Sequence, residues 1–496
     1  MDAIEKRIKS ISEFFKDKHN LILIGIILLA FIIRLYYLII TKNQAFWWDE
    51  SEYLSIAKHW VMGVPLDVNP QRTIMLPVLI SFFYLIGFNE FWVKFFIILV
   101  PSVLIVLATY LLGKEMYNKK IGLLASFIMA IFWLLIFNTT RIHTDALAMM
   151  FTTFSIYYFW KYYEVHSNKR YLFLSALLLA LAVITRPLAG IYVLIFGIYL
   201  IVVKKFNFIK DKNLWLTILI GLAGLAPLLI YDWINFGSPL AFISSYETGT
   251  NPSAAWAIFG YFKWFTEWLF FIIFLFGSAL LLFNLIIGFD YVFKDKKTEL
   301  KADFFNVIWI LTYLIYFVFI LRALTEDRWL MPLAVPIFFI ISKGLSYIYL
   351  FIKKYNHHVA IVVITILLFY NGYLHIKHTD FITKAKISTY SQEPAAGIWL
   401  KQNTLPNDVL MSNNEQLPFT FYTERKVYGM SDTEEKIIES IKQVKPKYLI
   451  LTGYYPSEQW TFQFPEKYKD HLVPVQAYTE NDRPVIVIYQ FKDYNF

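Results

Sequence analysis

The 496-residue chain is 58% apolar and 19% aromatic, with 17% charged residues, no cysteine and positive mean hydropathy. That is more apolar surface than one globular core hides, so lipid must solvate much of it, and disulfides, thiolate metal sites and a cysteine nucleophile are excluded. The net charge of +9 sits in residues 1–376, with 32 Lys+Arg against 22 Asp+Glu, while 377–496 hold 14 against 15; an excess confined to apolar sequence signals topology and not nucleic acid.

Apolar runs at about 21–41, 91–112, 121–138, 146–160, 171–185, 187–203, 214–231, 264–289, 304–321, 329–350 and 358–376 predict about eleven helices crossing ~30 Å of hydrocarbon. The first run follows Lys6, Arg7, Lys9, Lys16 and Lys18 and lacks a small-residue cleavage site, which reads as a retained helix with a cytoplasmic N-terminus. Alternation from there puts 22 Lys+Arg inside, among them Lys294, Lys296, Lys297, Lys301 and Lys343, against nine outside before residue 377. The apolar run Thr73 to Gly87 is too short to span and is broken by Pro77. Counting it as a span would invert every later loop.

The first outer loop, 42–90, places Tyr53, Ile56, Ala57, Trp60 and Val61 at helical spacing, which predicts a helix lying in the membrane interface. A second long outer loop, 232–263, has the Gly, Ser, Thr, Pro and aromatic content of a cover over a site. Beyond residue 376, alternating runs at Asp408–Ser412, Tyr448–Leu451 and Val485–Tyr489 and a helical pattern at Thr433–Val444 predict an extracytoplasmic α/β domain, 377–496, after a membrane domain, 1–376.

An ionised group at the centre of a membrane helix costs ~2.5–3.5 kcal/mol, so the placement of such groups is informative. On this topology they collect on the outer side: Asp49, Glu50, Glu52, Arg72, Lys94, Arg141, His143, Asp145, Arg186, Asp232, Glu326, Asp327 and Arg328. Taken singly, each reads equally well as a solvated anchor or a structural ion pair. Together, arginines can stabilise a departing phosphodiester while a carboxylate takes the proton of an attacking hydroxyl. Asp49, Glu50 and Asp145 offer oxygen ligands to Mg²⁺ or Mn²⁺ if they converge, which spacing leaves open, and His143 is given no metal role.

Trp48-Asp49-Glu50 after the first helix, Arg72-Thr-Ile-Met-Leu-Pro77, Lys94 opening the next span, Arg141-Ile-His143-Thr-Asp145, Thr185-Arg186-Pro187 and Asp327-Arg328-Trp-Leu-Met-Pro332 come in order along the chain. In this they resemble the GT-C superfamily of membrane glycosyltransferases, in particular its protein O-mannosyltransferase and lipid A aminoarabinose transferase branches. The resemblance implies a polytopic α-helical fold and transfer of a sugar, with inversion, from a polyprenyl-phospho-sugar to an acceptor glycan, lipid or protein. It also implies that Asp49 is the general base with Glu50 shaping its pocket, and that Lys94, Arg141 or Arg328 contacts the carrier phosphate. Lys94 departs from the arginine expected there, keeping the charge and losing the bidentate fork. A transporter or flippase for a lipid-linked sugar is the competing reading; charges at one face and the lack of an internal repeat weigh against it.

Overall fold

The computed structural model describes residues 15–244, 258–292, 298–321, 326–414, 416–430 and 433–496. The basic residues before Phe15, Lys294, Lys296 and Lys297, and positions 245–257 of the second long loop lie outside the described residues. Contacts divide the chain into two units: Met1–Ile40, Thr73–Met75 and Lys94–Thr383 in one, Thr41–Arg72, Leu76–Val93 and Lys384–Phe496 in the other. The boundary expected at 376/377 thus falls within one continuous helix, and most of the first loop groups with the C-terminal segment.

In chain order the helices are α1 (Lys18–Ile40), α2 (Trp48–Met62), α3 (Met75–Leu85), α4 (Glu90–Met116), α5 (Lys119–Ile131), α6 (Trp133–Asn138), α7 (Thr144–Trp160) and α8 (Lys169–Thr185). They continue with α9 (Pro187–Lys210), α10 (Lys212–Phe236), α11 (Phe265–Val292), α12 (Glu299–Leu321), α13 (Asp327–Lys353) and α14 (His357–Lys386). Among the described residues eight of these, α1, α4 and α9–α14, are long and apolar enough to cross a membrane. The other three expected spans fall on α5, α7 and α8, of 13, 17 and 17 residues. The run from Thr73 to Gly87 forms the 11-residue α3.

Several buried charged side chains in the first unit are held by protein partners. Arg34, midway along α1 and fully buried, donates to Ser102 Oγ at 2.6 Å and to the carbonyls of Ala130 and Met129 at 2.8 and 3.3 Å. Those carbonyls end α5, where a helix leaves acceptors without internal donors. Gly113 and Gly122 let α4 and α5 approach closely, since a Cβ on Gly113 would stand 2.9 Å from Gly122 Cα. Lys301 and Lys343, counted above with the loop lysines, are buried: Lys301 pairs with Glu164 at 2.9 Å, and Lys343 with Asp303 at 2.5 Å.

In the second unit, α15 (Glu393–Gln402), β1 (Val409–Ser412), α16 (Gln416–Thr423), β2 (Lys426–Gly429), α17 (Glu434–Val444), β3 (Tyr448–Thr452), α18 (Gln459–Lys467), β4 (Leu472–Glu480) and β5 (Arg483–Phe491) build a sheet of order β2-β1-β3-β5-β4. Strands β1, β2 and β3 are parallel, while β5 runs antiparallel to β3 and β4. Alternation along β3 sends Tyr448 and Ile450 to one core with Ala396, Leu400 and Phe419, and Leu449 and Leu451 to another with Ile437, Ile441 and Phe464. Helix α2 belongs with this domain. Its Tyr53, Ile56 and Ala57 are buried, it packs against α16, and Lys58 bonds Glu424 at 2.9 Å. The helix expected in the first outer loop thus packs its apolar face on α16.

Candidate active site

Glu50 opens α2. Fully buried, it accepts from the Trp47 amide at 3.1 Å through Oε2, satisfying one of the donors that a helix start leaves unmatched. Its carboxylate is occupied structurally, so it shapes the site by fixing where α2 begins. Asp49, one position earlier, stays partly exposed, with Glu52 three residues on and Tyr53 four residues on along the same helix face.

Arg72 reaches that face from the end of the loop. Its Nη2 donates to Asp49 Oδ1 at 2.7 Å, its Nε donates to Glu52 Oε2 at 2.5 Å, and its guanidinium lies 5.3 Å from the Tyr53 ring centroid. Burial pushes the Glu52 carboxyl above its ordinary value; Arg72 pulls it back and Asp49 adds to the rise. Burial alone would lower Arg72, but Tyr53, Asp49 and Glu52 outweigh it and hold the guanidinium firmly charged. Arg72 is thus paired with the expected base and with Glu52. Glu52, unassigned from sequence, is its second anchor.

The first unit gathers a separate cluster where α7 and α13 start and α8 ends. Asp145, in the first turn of α7, accepts from Arg186, the residue capping α8 ahead of Pro187. Its other oxygen is 3.9 Å from Arg328 Nη1. Arg328 also bonds His143 Nδ1 at 2.7 Å, which makes that nitrogen the acceptor, and pairs with Glu326. Thr73 Oγ1 donates to the Thr185 carbonyl at 2.8 Å, tying the end of α8 to the chain just after Arg72. A narrow crevice leads from Asp145 and Arg186 past Met149, Tyr192 and Tyr313, apolar below a charged rim. Lys94 opens a π-helical turn in α4 and is buried, as is Arg141, whose guanidinium lies 5.9 Å from the Phe137 centroid. Asp232 accepts from the Phe242 amide at 2.8 Å, a local brace.

Four predicted residues thus form two hydrogen-bonded pairs, Asp145 with Arg186 and His143 with Arg328, joined by the Asp145–Arg328 ion pair, and Asp49 and Arg72 form another group with Glu52. Sequence reasoning missed the pairing of Glu267 with His378 at 2.6 Å, whose imidazole stacks on Trp133 at 4.2 Å. Glu267 could have been flagged as the one acidic residue in the apolar run 264–289. Among the described residues no three histidine or carboxylate side chains lie together as a metal-ligand set.

Residues 71–231 match the family model of dolichyl-phosphate-mannose-protein mannosyltransferases. Among solved structures, apo ArnT from Cupriavidus metallidurans aligns with a TM-score of 0.68 at 10% identity over 94% of this chain and 98% of that one, and its undecaprenyl phosphate complex with 0.66. The oligosaccharyltransferase AglB from Archaeoglobus fulgidus, in complex with an inhibitory peptide and a dolichol-phosphate, aligns with 0.62 at 13% identity over 97% of this chain and 75% of that one. The mycobacterial arabinofuranosyltransferase AftD aligns with 0.56 at 13% identity, over 93% of this chain and 39% of its own. No curated protein matches by sequence. At such identities the likeness is one of fold, and it bears out the GT-C architecture read from the sequence.

Proposed function

We propose that this chain, with its GT-C fold, is a membrane glycosyltransferase that moves a sugar from a polyprenyl-phosphate-linked donor to an acceptor hydroxyl or phosphate on the extracytoplasmic side. The observation that carries the reading is the Arg72 clamp, which holds a partly exposed Asp49 at the head of α2. A carboxylate fixed in this way can receive a proton without spending time in unproductive rotamers.

The acceptor oxygen attacks the anomeric carbon as its proton passes to Asp49. The bond from that carbon to the phosphate oxygen breaks, and the lipid phosphate leaves with the electron pair. One displacement inverts the anomeric centre. Arg186 and Arg328, which both pair with Asp145, and Lys94 and Arg141 are the cations of the first unit that can offset the charge on the departing phosphate. Dolichyl-phosphate-mannose in the matching family's description and undecaprenyl phosphate in one structural relative support a polyprenyl carrier. The excess of lysine on one side of the expected spans supports the outward orientation.

The test is purified protein in detergent, where transport cannot be scored, given a panel of polyprenyl-phospho-sugars with glycan, lipid and peptide acceptors. Acceptor-dependent release of polyprenyl phosphate is expected. If every donor survives intact, the transferase reading fails and the flippase reading returns.

A further inference from the structure

Five aromatic side chains of the second unit come together beside Asp49. The rings of Tyr390 and Tyr455 are parallel within 4°, with centroids 5.0 Å apart. Tyr454 meets Tyr390 edge-on at 5.4 Å, Trp47 meets Tyr390 at 6.3 Å, and Trp48 meets Tyr455 at 6.1 Å. All five keep part of their surface exposed. Trp48 is the residue immediately before Asp49, so the cluster is covalently continuous with the proposed base.

The cluster is built and held. Tyr454 and Tyr455 leave the carboxyl end of β3, and Asn413 and Asn414 leave that of β1, its parallel neighbour. Asn413 donates to the Thr452 carbonyl at 3.0 Å and to Ser457 Oγ at 3.1 Å, and Asn414 donates to the Pro456 carbonyl at 2.7 Å. These bonds fix the tyrosine-bearing loop at both ends. From β1 the chain goes to β2 on one side and then to β3 on the other, so these loops flank the point where strand order reverses, the habitual ligand crevice of open α/β sheets. Tyr390, whose ring stacks on Tyr455, adopts φ +62°, a left-handed backbone that bulky residues rarely take.

Resting on the transferase reading above, we infer that this platform is the acceptor subsite, and that the acceptor is an uncharged glycan whose sugar rings lie against Trp48, Tyr390 and Tyr455. The C–H face of a sugar ring is weakly positive and apolar, matching the negative face of an aromatic ring, while its hydroxyls seek acceptors at the rim. The rim supplies them. Glu480 already accepts from Tyr454 Oη and Ser391 Oγ, each at 2.5 Å. A carboxylate there disfavours a phosphate acceptor, and a serine or threonine peptide offers no ring to stack. The inference therefore selects a sugar hydroxyl from the acceptor classes left open above.

The test is saturation-transfer NMR on the full-length protein in a sugar-free detergent, with neutral trisaccharides of α- and β-linked hexoses and pentoses as probes and no donor lipid. Ring C–H protons of at least one probe should receive saturation from the wild type. Tyr455→Ala and Tyr390→Ala should lower that signal at least five-fold, and Tyr455→Phe, which keeps the ring face, should retain it. Should an alanine variant fail to fold, Tyr455→Leu removes the face with less loss of apolar volume. Absence of signal from every probe, equal signal in the face-deleting variants, or displacement by a glycan-free serine peptide overturns the inference. Asp49→Asn should keep the sugar signal while losing transfer, so failure of the platform and failure of the transferase reading are read separately.

Discussion

Replacing Arg72 by glutamine removes the guanidinium that Asp49 and Glu52 share. Breaking a buried ion pair from one side costs about 3–5 kcal/mol because the remaining charge stays in poor solvent. Arg72 and Asp49 keep 19% and 25% of their side-chain surface exposed but Glu52 keeps 5%, so the penalty falls mainly on Glu52 and should be about 2–3 kcal/mol. Protonation relieves part of it. Burial already pushes Glu52 upward against the pull of Arg72, and without Arg72 the rise is larger. Folded Glu52 then holds its proton at a pH where the unfolded chain has released it, so stability falls as pH climbs from the ordinary glutamate range through the raised value. Arg72→Gln should therefore be least harmful in acid, where Glu52 is neutral in both states, and most harmful above the raised value. Thermal unfolding of Arg72→Gln, Glu52→Gln and the double variant across that pH range provides the assay, with a coupling energy of about 1–3 kcal/mol expected at neutral pH. Strictly additive penalties, or a loss independent of pH, would refute the clamp.

Glu50→Ala should cost about 1–2 kcal/mol through the lost cap of α2, with Glu50→Gln recovering most of it; thermal midpoints decide. Arg186→Gln should raise the KM for donor lipid about ten-fold, equivalent to about 1.4 kcal/mol, while the KM for acceptor holds, and an effect on the acceptor alone would remove Arg186 from the phosphate site. Transfer should persist in a chelator, because Arg72 already neutralises Asp49 and no ligand triad lies together among the described residues. Activity lost to chelation and restored by Mg²⁺ or Mn²⁺ would return the metal reading.

The long helices were legible because lipid tolerates apolar runs with internally satisfied backbones and little else. The same logic explains the errors. Lys301 and Lys343 read as loop lysines because an isolated lysine near the end of an apolar run looks solvated, and their partners Glu164 and Asp303 lie 137 and 40 residues away. The periodicity of α2 showed an apolar face but not what covers it in this structure, since α16 comes more than 350 residues later. Strand β3 stood out through five consecutive buried residues, whereas β4, exposed or half-buried along most of its length, carried no such signal. Asp49 stands out in the sequence through its aromatic and acidic neighbours, but its partner Arg72 lies 23 residues on, beyond any local pattern.

The central claim is that Asp49 takes the acceptor's proton during sugar transfer. Its most direct measurement is the single-turnover rate of Asp49→Asn on the best polyprenyl-phospho-sugar donor, alongside the donor's binding constant and the thermal midpoint. The account predicts a rate at least a hundred-fold lower, in keeping with the ~10²–10⁴ contribution of a positioned base, with binding and folding preserved. A variant that turns over as fast as the wild type would contradict it.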